Sequence, residues 1–223
     1  MTKVIRTPRA DVVAVIERLG VVAVIRMKDA GALRGTIDAL AAGGVRALEV
    51  TMTVPGAVDL IAEIAPQLSD DFLVGAGTVL DAPTARRVID AGAKFVVSPV
   101  FSPQVIEECH RLNIAVMPGC FSPTEIFAAW SAGADVVKVF PATALGPTYF
   151  KDVRAPLPQL KLMPTGGVSI ENAGDWIRAG AVAVGIGSAL LDARAIAERR
   201  FDVITTGAQR LVANVAAARA GRE

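Results

Sequence analysis

Short runs of apolar, often β-branched residues recur along the whole chain: VVAVIR (21–26), RALEVT (46–51), FLVGAG (72–77), KFVVSP (94–99), IAVMPG (114–119), DVVKVFP (135–141), KLMPTGG (161–167) and AVAVGIG (181–187). Most are apolar at consecutive positions rather than alternate ones, the pattern of parallel strands covered on both faces. Segments with helical spacing lie between them, at 31–44, 82–93, 122–134 and 169–181. The third opens with Ser-x-x-Glu, the spacing of a capping box, and the fourth has an acidic first turn. An additional helix is expected at about 8–19, and the Ala- and Arg-rich stretch 193–219 reads as a closing helix.

Four of the helix-to-strand joints share one signature: Gly43-Gly44-Val45, Ala91-Gly92-Ala93, Ala132-Gly133-Ala134 and Ala179-Gly180-Ala181. Their central glycines are 48, 41 and 47 residues apart (92 − 44, 133 − 92, 180 − 133). Each joint leads into an even-numbered strand, so the repeating unit is a pair of βα modules, with glycine placed for a left-handed helix C-cap. Eight modules averaging about 28 residues predict a (β/α)8 TIM barrel with an extra N-terminal helix, over a single domain at 1–223. An open doubly wound sheet is the rival architecture.

Composition narrows the partners. Lys+Arg 23 against Asp+Glu 22 gives a net charge of +1, which makes no electrostatic case for nucleic acid or an acidic membrane surface. Apolar residues make up 52%, yet the longest charge-free runs, 112–124 and 179–191, reach 13 residues and contain Gly or Pro. A membrane span needs about 18 or more. The first dozen residues carry charges and lack an apolar core, so they do not read as a signal peptide. Two cysteines, Cys109 and Cys120, make no disulfide framework and fit a reducing cytoplasmic setting. A single histidine, His110, argues against a His-based metal site.

The repeat also aligns chemistry. Five residues beyond each repeat glycine stand Glu49, Val97, Lys138 and Gly185, one per even strand, with a common orientation expected toward the interior. Either charge alone in an apolar strand would cost several kcal/mol. Two bland readings exist: a self-satisfied structural ion pair, and a Lys138 that faces outward and snorkels. The functional reading is Schiff-base chemistry. Burial in apolar surroundings favours the neutral amine of a lysine, which attacks carbonyls, and a neighbouring carboxylate shuttles protons.

The strand ends supply candidate binding residues. Pro164-Thr165-Gly166-Gly167 and Gly185-Ile186-Gly187-Ser188, each expected to run into a helical stretch, look suited to cradling a phosphate through backbone N–H groups, with Ser188 adding a hydroxyl. The alternative is that these glycines only make tight turns. Thr78 suits a small carboxylate. Phe140 lies on the face of Lys138, Pro99 lies at another strand end, and Arg26 is placed to hold a substrate anion. Cys120 reads as structural for want of a basic partner.

At LEVTMTVPGAV, VGAGTV, SPVF, MPGCFSPTE, VKVFPA, PTGGV and GIGSALL, the sequence resembles the class I aldolases acting on 2-keto-3-deoxy-6-phosphogluconate (KDPG) and 4-hydroxy-2-oxoglutarate (KHG). The resemblance covers about 21 to 191. It implies an imine with pyruvate on Lys138, acid–base work by Glu49, carboxylate contact at Thr78, packing of Phe140 on the intermediate, and phosphate binding at Gly166, Gly167 and Ser188. It further implies a homotrimer with no metal or cofactor, a part in carbohydrate metabolism, pyruvate and D-glyceraldehyde 3-phosphate as products, and glyoxylate in place of the latter for KHG. One position departs: where many members carry an arginine that binds the substrate carboxylate, this chain has Thr53, and Arg26 is the candidate replacement. That leaves the 6-phosphogalactonate epimer open as a substrate. Two other classes remain as alternatives: a sugar-phosphate isomerase or synthase without imine chemistry, and a non-catalytic scaffold.

Overall fold

The computed structural model of the chain describes residues 8–27 and 30–221. The sequence expectations for residues 1–7, 28–29 and 222–223, including most of the charged N-terminal stretch and the outer limits of the domain, fall outside the described residues. Nine strands appear among them: β1 Val21–Ile25, β2 Ala47–Thr51, β3 Leu73–Gly77, β4 Phe95–Val97, β5 Ala115–Met117, β6 Gly119–Cys120, β7 Val137–Val139, β8 Leu162–Pro164 and β9 Val184–Ile186. The helices are α1 Arg9–Leu19, α2 Ala30–Ala42, α3 Ala57–Ile64, α4 Ala82–Asp90, α5 Pro103–Arg111, α6 Pro123–Ser131, α7 Gly146–Arg154, α8 Ala173–Arg178, α9 Ala193–Ala197 and α10 Phe201–Ala220.

All strand pairs are parallel, in a curled α/β arrangement. A six-stranded sheet runs β5-β4-β3-β2-β1-β9, and a three-stranded sheet runs β6-β7-β8. The sequence predicts eight strands in one closed ladder; the ladder is instead divided twice, within the fifth strand and between β8 and β9, where an isolated Thr165–Gly185 bridge is the strand pairing. Pro118 has no N–H to donate, so β5 pairs back to β4 while β6, on the other side of the proline, pairs forward to β7 with Gly119 opposite Lys138.

Strand parity sorts the core into two clusters. Val21, Ala23, Ile25, Leu48, Val50, Val74 and Val96 pack under the helices. The alternate residues, among them Val22, Ala47, Leu73, Phe95, Val97, Met117, Val136 and Met163, form a second cluster inside the curl. Val12, Val13 and Ile16 of α1 belong to that inner cluster and plug its floor. Arg219 of α10 holds the plug, donating to the carbonyls of Glu17, Arg18 and Val182.

The repeat joints share one geometry. Gly44, Gly92, Gly133 and Gly180 all have φ between 87 and 110°. In each joint the following residue donates to a carbonyl five positions back, as in Val45 to Leu40 and Ala93 to Val88. This is the left-handed C-cap that the glycines predict. The closing helix expected at 193–219 is two helices, because Arg199 takes φ 54° and the Arg200 N–H turns back to the Ala195 carbonyl. The helix expected across 169–181 shortens to α8, since Ser169 and Asn172 exchange side-chain-to-backbone hydrogen bonds and form a turn ahead of it. Among the described residues no helix is long and apolar enough to cross a membrane.

Candidate active site

Glu49 and Lys138 both point inside the curl, on the parity of the inner cluster, at 1% and 3% exposure. Lys138 Nζ stands 4.0 Å from Glu49 Oε1. That separation is too long for a direct hydrogen bond, and short enough for one hydroxyl to bond both groups. The expected common orientation therefore holds for the pair, and it excludes the outward-facing lysine. Val97 lies in the same inner cluster.

Missing side chains shape the space. A Cβ on Gly77 would lie within van der Waals overlap of the Glu49 carboxylate, 2.6 Å from its Cδ, so the carboxylate occupies room that only glycine leaves. A Cβ on Gly185 would meet Thr165 Oγ1 in the same way, at 2.4 Å. Phe140 lies with its ring centroid 5.1 Å from Lys138 Nζ, a cation–π distance. Two polar atoms here, Glu49 Oε2 and Thr165 Oγ1, are buried and have no hydrogen-bond partner. Buried polar atoms are nearly always paired in folded proteins, so two orphans beside a buried lysine mark a place built for a polar ligand.

The remaining predicted residues follow the C-terminal ends of their strands but divide between neighbouring spaces. Pro99 is half-buried, and its backbone abuts Gly119, the strand neighbour of Lys138. Thr53 and Thr78 line one cleft with Met52, Val54, Leu80 and Thr84. Thr53 is tied to Thr51 through a 2.7 Å hydroxyl–hydroxyl bond, and Thr51 Oγ1 donates to the Ile25 carbonyl. Thr78 has φ 61°, a left-handed conformation that is strained for a β-branched residue. Arg26 and Ser188 line a separate cavity beside Gly187.

The Gly166–Gly167 turn has φ of 86° and 73° and packs on Thr143, while Asn172 Nδ2 donates to the Gly167 carbonyl at 2.9 Å. Neither glycine loop runs straight into a helix as the sequence predicts. α8 starts at Ala173 and α9 at Ala193, so turns intervene and the loops bring backbone N–H groups rather than a helix end. Cys120 and Cys109 are buried, and burial pushes both thiols up to about 12. Such thiols are inert as nucleophiles at neutral pH.

Sequence reasoning passes over Thr51, although it is fully buried on the Glu49 face of β2 and strand parity could have found it. Thr143 and Asn172, which brace the Gly166–Gly167 turn, carry no comparable signal, because their role arises only from contacts between loops.

The model of the family described as "Aldolase: KDPG and KHG aldolase" matches residues 12–206. A 2-dehydro-3-deoxy-phosphogluconate aldolase of Treponema pallidum is 37% identical over 198 residues, covering 87% of this chain and 92% of the relative. A 2-dehydro-3-deoxy-6-phosphogalactonate aldolase of Escherichia coli is 33% identical, covering 82% and 89%. Among solved structures, the KDPG aldolase of Legionella pneumophila, with pyruvate captured as a covalent carbinolamine, superposes with a TM-score of 0.83 at 30% identity, covering 89% of this chain and 97% of that one.

Proposed function

The chain belongs to the KDPG and KHG aldolase family, and from that premise we propose that it is a lyase cleaving 2-keto-3-deoxy-6-phosphogluconate to pyruvate and D-glyceraldehyde 3-phosphate through an imine on Lys138. The observation that carries this reading is the buried Lys138–Glu49 pair at 4.0 Å, with an unpartnered carboxylate oxygen. The neutral lysine amine attacks the C2 ketone, and loss of water leaves a cationic imine. Glu49 takes the C4 hydroxyl proton as the C3–C4 electron pair moves into the imine, releasing the aldehyde and leaving an enamine. Protonation of the enamine at C3 and hydrolysis of the imine free pyruvate and regenerate the amine. Thr78 and the orphan Thr165 hydroxyl are the pyruvate-side contacts, with Phe140 and Pro99 as walls. Gly166, Gly167, Gly187 and Ser188 serve the phosphate. KHG, giving pyruvate and glyoxylate, is a further substrate of the same chemistry.

The 6-phosphogalactonate epimer is the second reading. It is favoured by Thr53 in place of the expected arginine and by the similarity to the E. coli phosphogalactonate enzyme.

In architecture, we read the two sheets as one closed (β/α)8 barrel in a single domain. The Thr165–Gly185 bridge, the 3.0 Å bond from the Val182 N–H to the Leu162 carbonyl and the continuity of β5 with β6 all support closure. In assembly, the homotrimer reading draws support from exposed Leu80, Val100, Phe121 and Phe127, which lie on the connections after β3, β4 and β6 and on α6. The two free, buried cysteines fit a cytoplasmic setting.

The test is a cleavage assay on both epimers with Lys138→Ala and Glu49→Gln. Lys138→Ala is expected to abolish cleavage, and Glu49→Gln to lower kcat by about 10²- to 10⁴-fold. Substantial cleavage by Lys138→Ala would point to chemistry without an imine. The ratio of kcat/KM for the two epimers decides between the two substrate readings.

A further inference from the structure

Glu49 and Thr51 stand on one face of β2, and Thr53 follows in the turn just beyond the strand. Thr51 is fully buried and pairs with Gly77, the glycine over which the Glu49 carboxylate lies. Thr53 is exposed and lines a cleft of about 760 Å³ with Thr78, Asp59 and Asp81. The hydrogen bonds around the two threonine hydroxyls fix which of them donates. A hydroxyl has one proton and two acceptor lone pairs. Thr51 Oγ1 lies 3.3 Å from the Ile25 carbonyl, which only accepts, so the Thr51 proton is committed there. In the 2.7 Å contact between the hydroxyls, Thr53 must then be the donor. With its own proton spent, Thr53 Oγ1 offers the cleft lone pairs and nothing else.

We propose that Thr53 sets specificity for the aldehyde half of the substrate, accepting a hydrogen bond from the C5 hydroxyl and opposing a carboxylate in that place. The proposal rests on the aldolase reading above. In that reading Glu49 takes the proton of the C4 hydroxyl, so the next group outward along the end of β2 is the one on C5. In the phosphorylated acid that group is a hydroxyl, a donor that matches an oxygen with free lone pairs. In 4-hydroxy-2-oxoglutarate C5 is itself a carboxylate, which only accepts when ionised. Against Thr53 it would set lone pairs to lone pairs, with the Asp59 and Asp81 carboxylates lining the same cleft. Arg87 also lines that cleft, and its Nη2 donates to Thr84 Oγ1. An arginine at position 53 would reverse the preference, since a guanidinium carries donors alone. The phosphorylated acid is thus the favoured substrate and 4-hydroxy-2-oxoglutarate the poorer one. Both 6-phospho epimers carry the C5 hydroxyl, so Thr53 does not decide between them.

The test runs the reaction in the condensation direction, pairing pyruvate with three aldehydes. These are D-glyceraldehyde 3-phosphate, glyoxylate, and 3-oxopropyl phosphate, which keeps the phosphate and lacks the hydroxyl. Thr53→Val removes the lone pairs at nearly constant shape, and Thr53→Ser keeps them. Thr53→Val is expected to lower kcat/KM for D-glyceraldehyde 3-phosphate about 3- to 10-fold, with 3-oxopropyl phosphate within about twofold of wild type. Thr53→Ser should hold close to the wild-type preference. Thr51→Val deletes the group that takes the Thr53 proton, and is expected to raise kcat/KM for glyoxylate relative to D-glyceraldehyde 3-phosphate. An equal fall for both phosphorylated aldehydes in Thr53→Val would overturn the proposal, because it would reflect a change of shape rather than a lost hydrogen bond. Unchanged values for both would overturn it too, since Thr53 would then not touch the substrate. Exchange of the pyruvate methyl protons with D2O, followed by NMR, uses no aldehyde and should be unaltered in Thr53→Val. Wild-type protein that shows no such exchange and no condensation would instead bring down the aldolase reading itself.

Discussion

At the scale of single residues, the site depends on a side chain that is not there. The Glu49 carboxylate lies over Gly77, and any Cβ at that position would collide with its Cγ, Cδ and Oε1. Gly77→Ala is therefore expected to push the carboxylate away from Lys138 while leaving the lysine in place. The predicted outcome is a fall in kcat of about 10²-fold or more, comparable with loss of the acid–base function proposed for Glu49. Imine formation with pyruvate should remain detectable, and steady-state assay beside imine trapping separates the two effects. A Gly77→Ala protein with wild-type kcat would mean that the carboxylate position is not critical. Counting from the repeat glycines finds Glu49 and Lys138, because strand parity and a fixed offset suffice to place them. The role of Gly77 is not legible that way. It is a steric relation between β2 and β3 that exists only after Thr51 pairs with Gly77.

At the scale of elements, local signals and tertiary contacts divide the work. The Ser122–Glu125 capping box of α6 is written in the sequence and forms: Ser122 Oγ accepts from the Glu125 N–H, and the Glu125 carboxylate accepts from the Ser122 and Phe121 N–H groups and the Ser122 hydroxyl. Those donors hold the Glu125 carboxyl below its ordinary value of 4.5. A carboxyl lowered in the folded state stabilises the fold above its unfolded pKa, and that contribution is lost as pH falls through the folded one. Ser122→Ala is accordingly expected to cost about 1 kcal/mol at neutral pH, measured by urea unfolding. The gap to wild type should narrow well below about pH 4.5, as Glu125 gains its proton. A gap independent of pH would show that the carboxylate takes no part in the cap. By contrast, the break between α9 and α10 has no such signal. An arginine rather than a glycine takes the left-handed position, where the sequence alone reads one continuous helix.

At the scale of the whole molecule, both-face burial of the strands makes the parallel α/β class legible, and the four glycine joints supply its internal repeat. The floor of the curl is closed by α1, and Arg219, some two hundred residues away in the chain, fastens it. A contact of that sequence separation leaves no local trace. Nor does the partition of the strand-end residues into separate spaces, since it depends on which strands are neighbours: β1 lies beside β9, which brings Arg26 to Ser188. What unites the molecule functionally is that its inner cluster is apolar below and opens above into one buried amine and one buried carboxylate. The most direct measurement of that claim is borohydride reduction in the presence of pyruvate, followed by peptide mass spectrometry. The account predicts one reduced pyruvyl adduct, confined to the peptide that carries Lys138 and absent from Lys138→Ala. Folded protein that yields no adduct, or an adduct on another lysine, would contradict it.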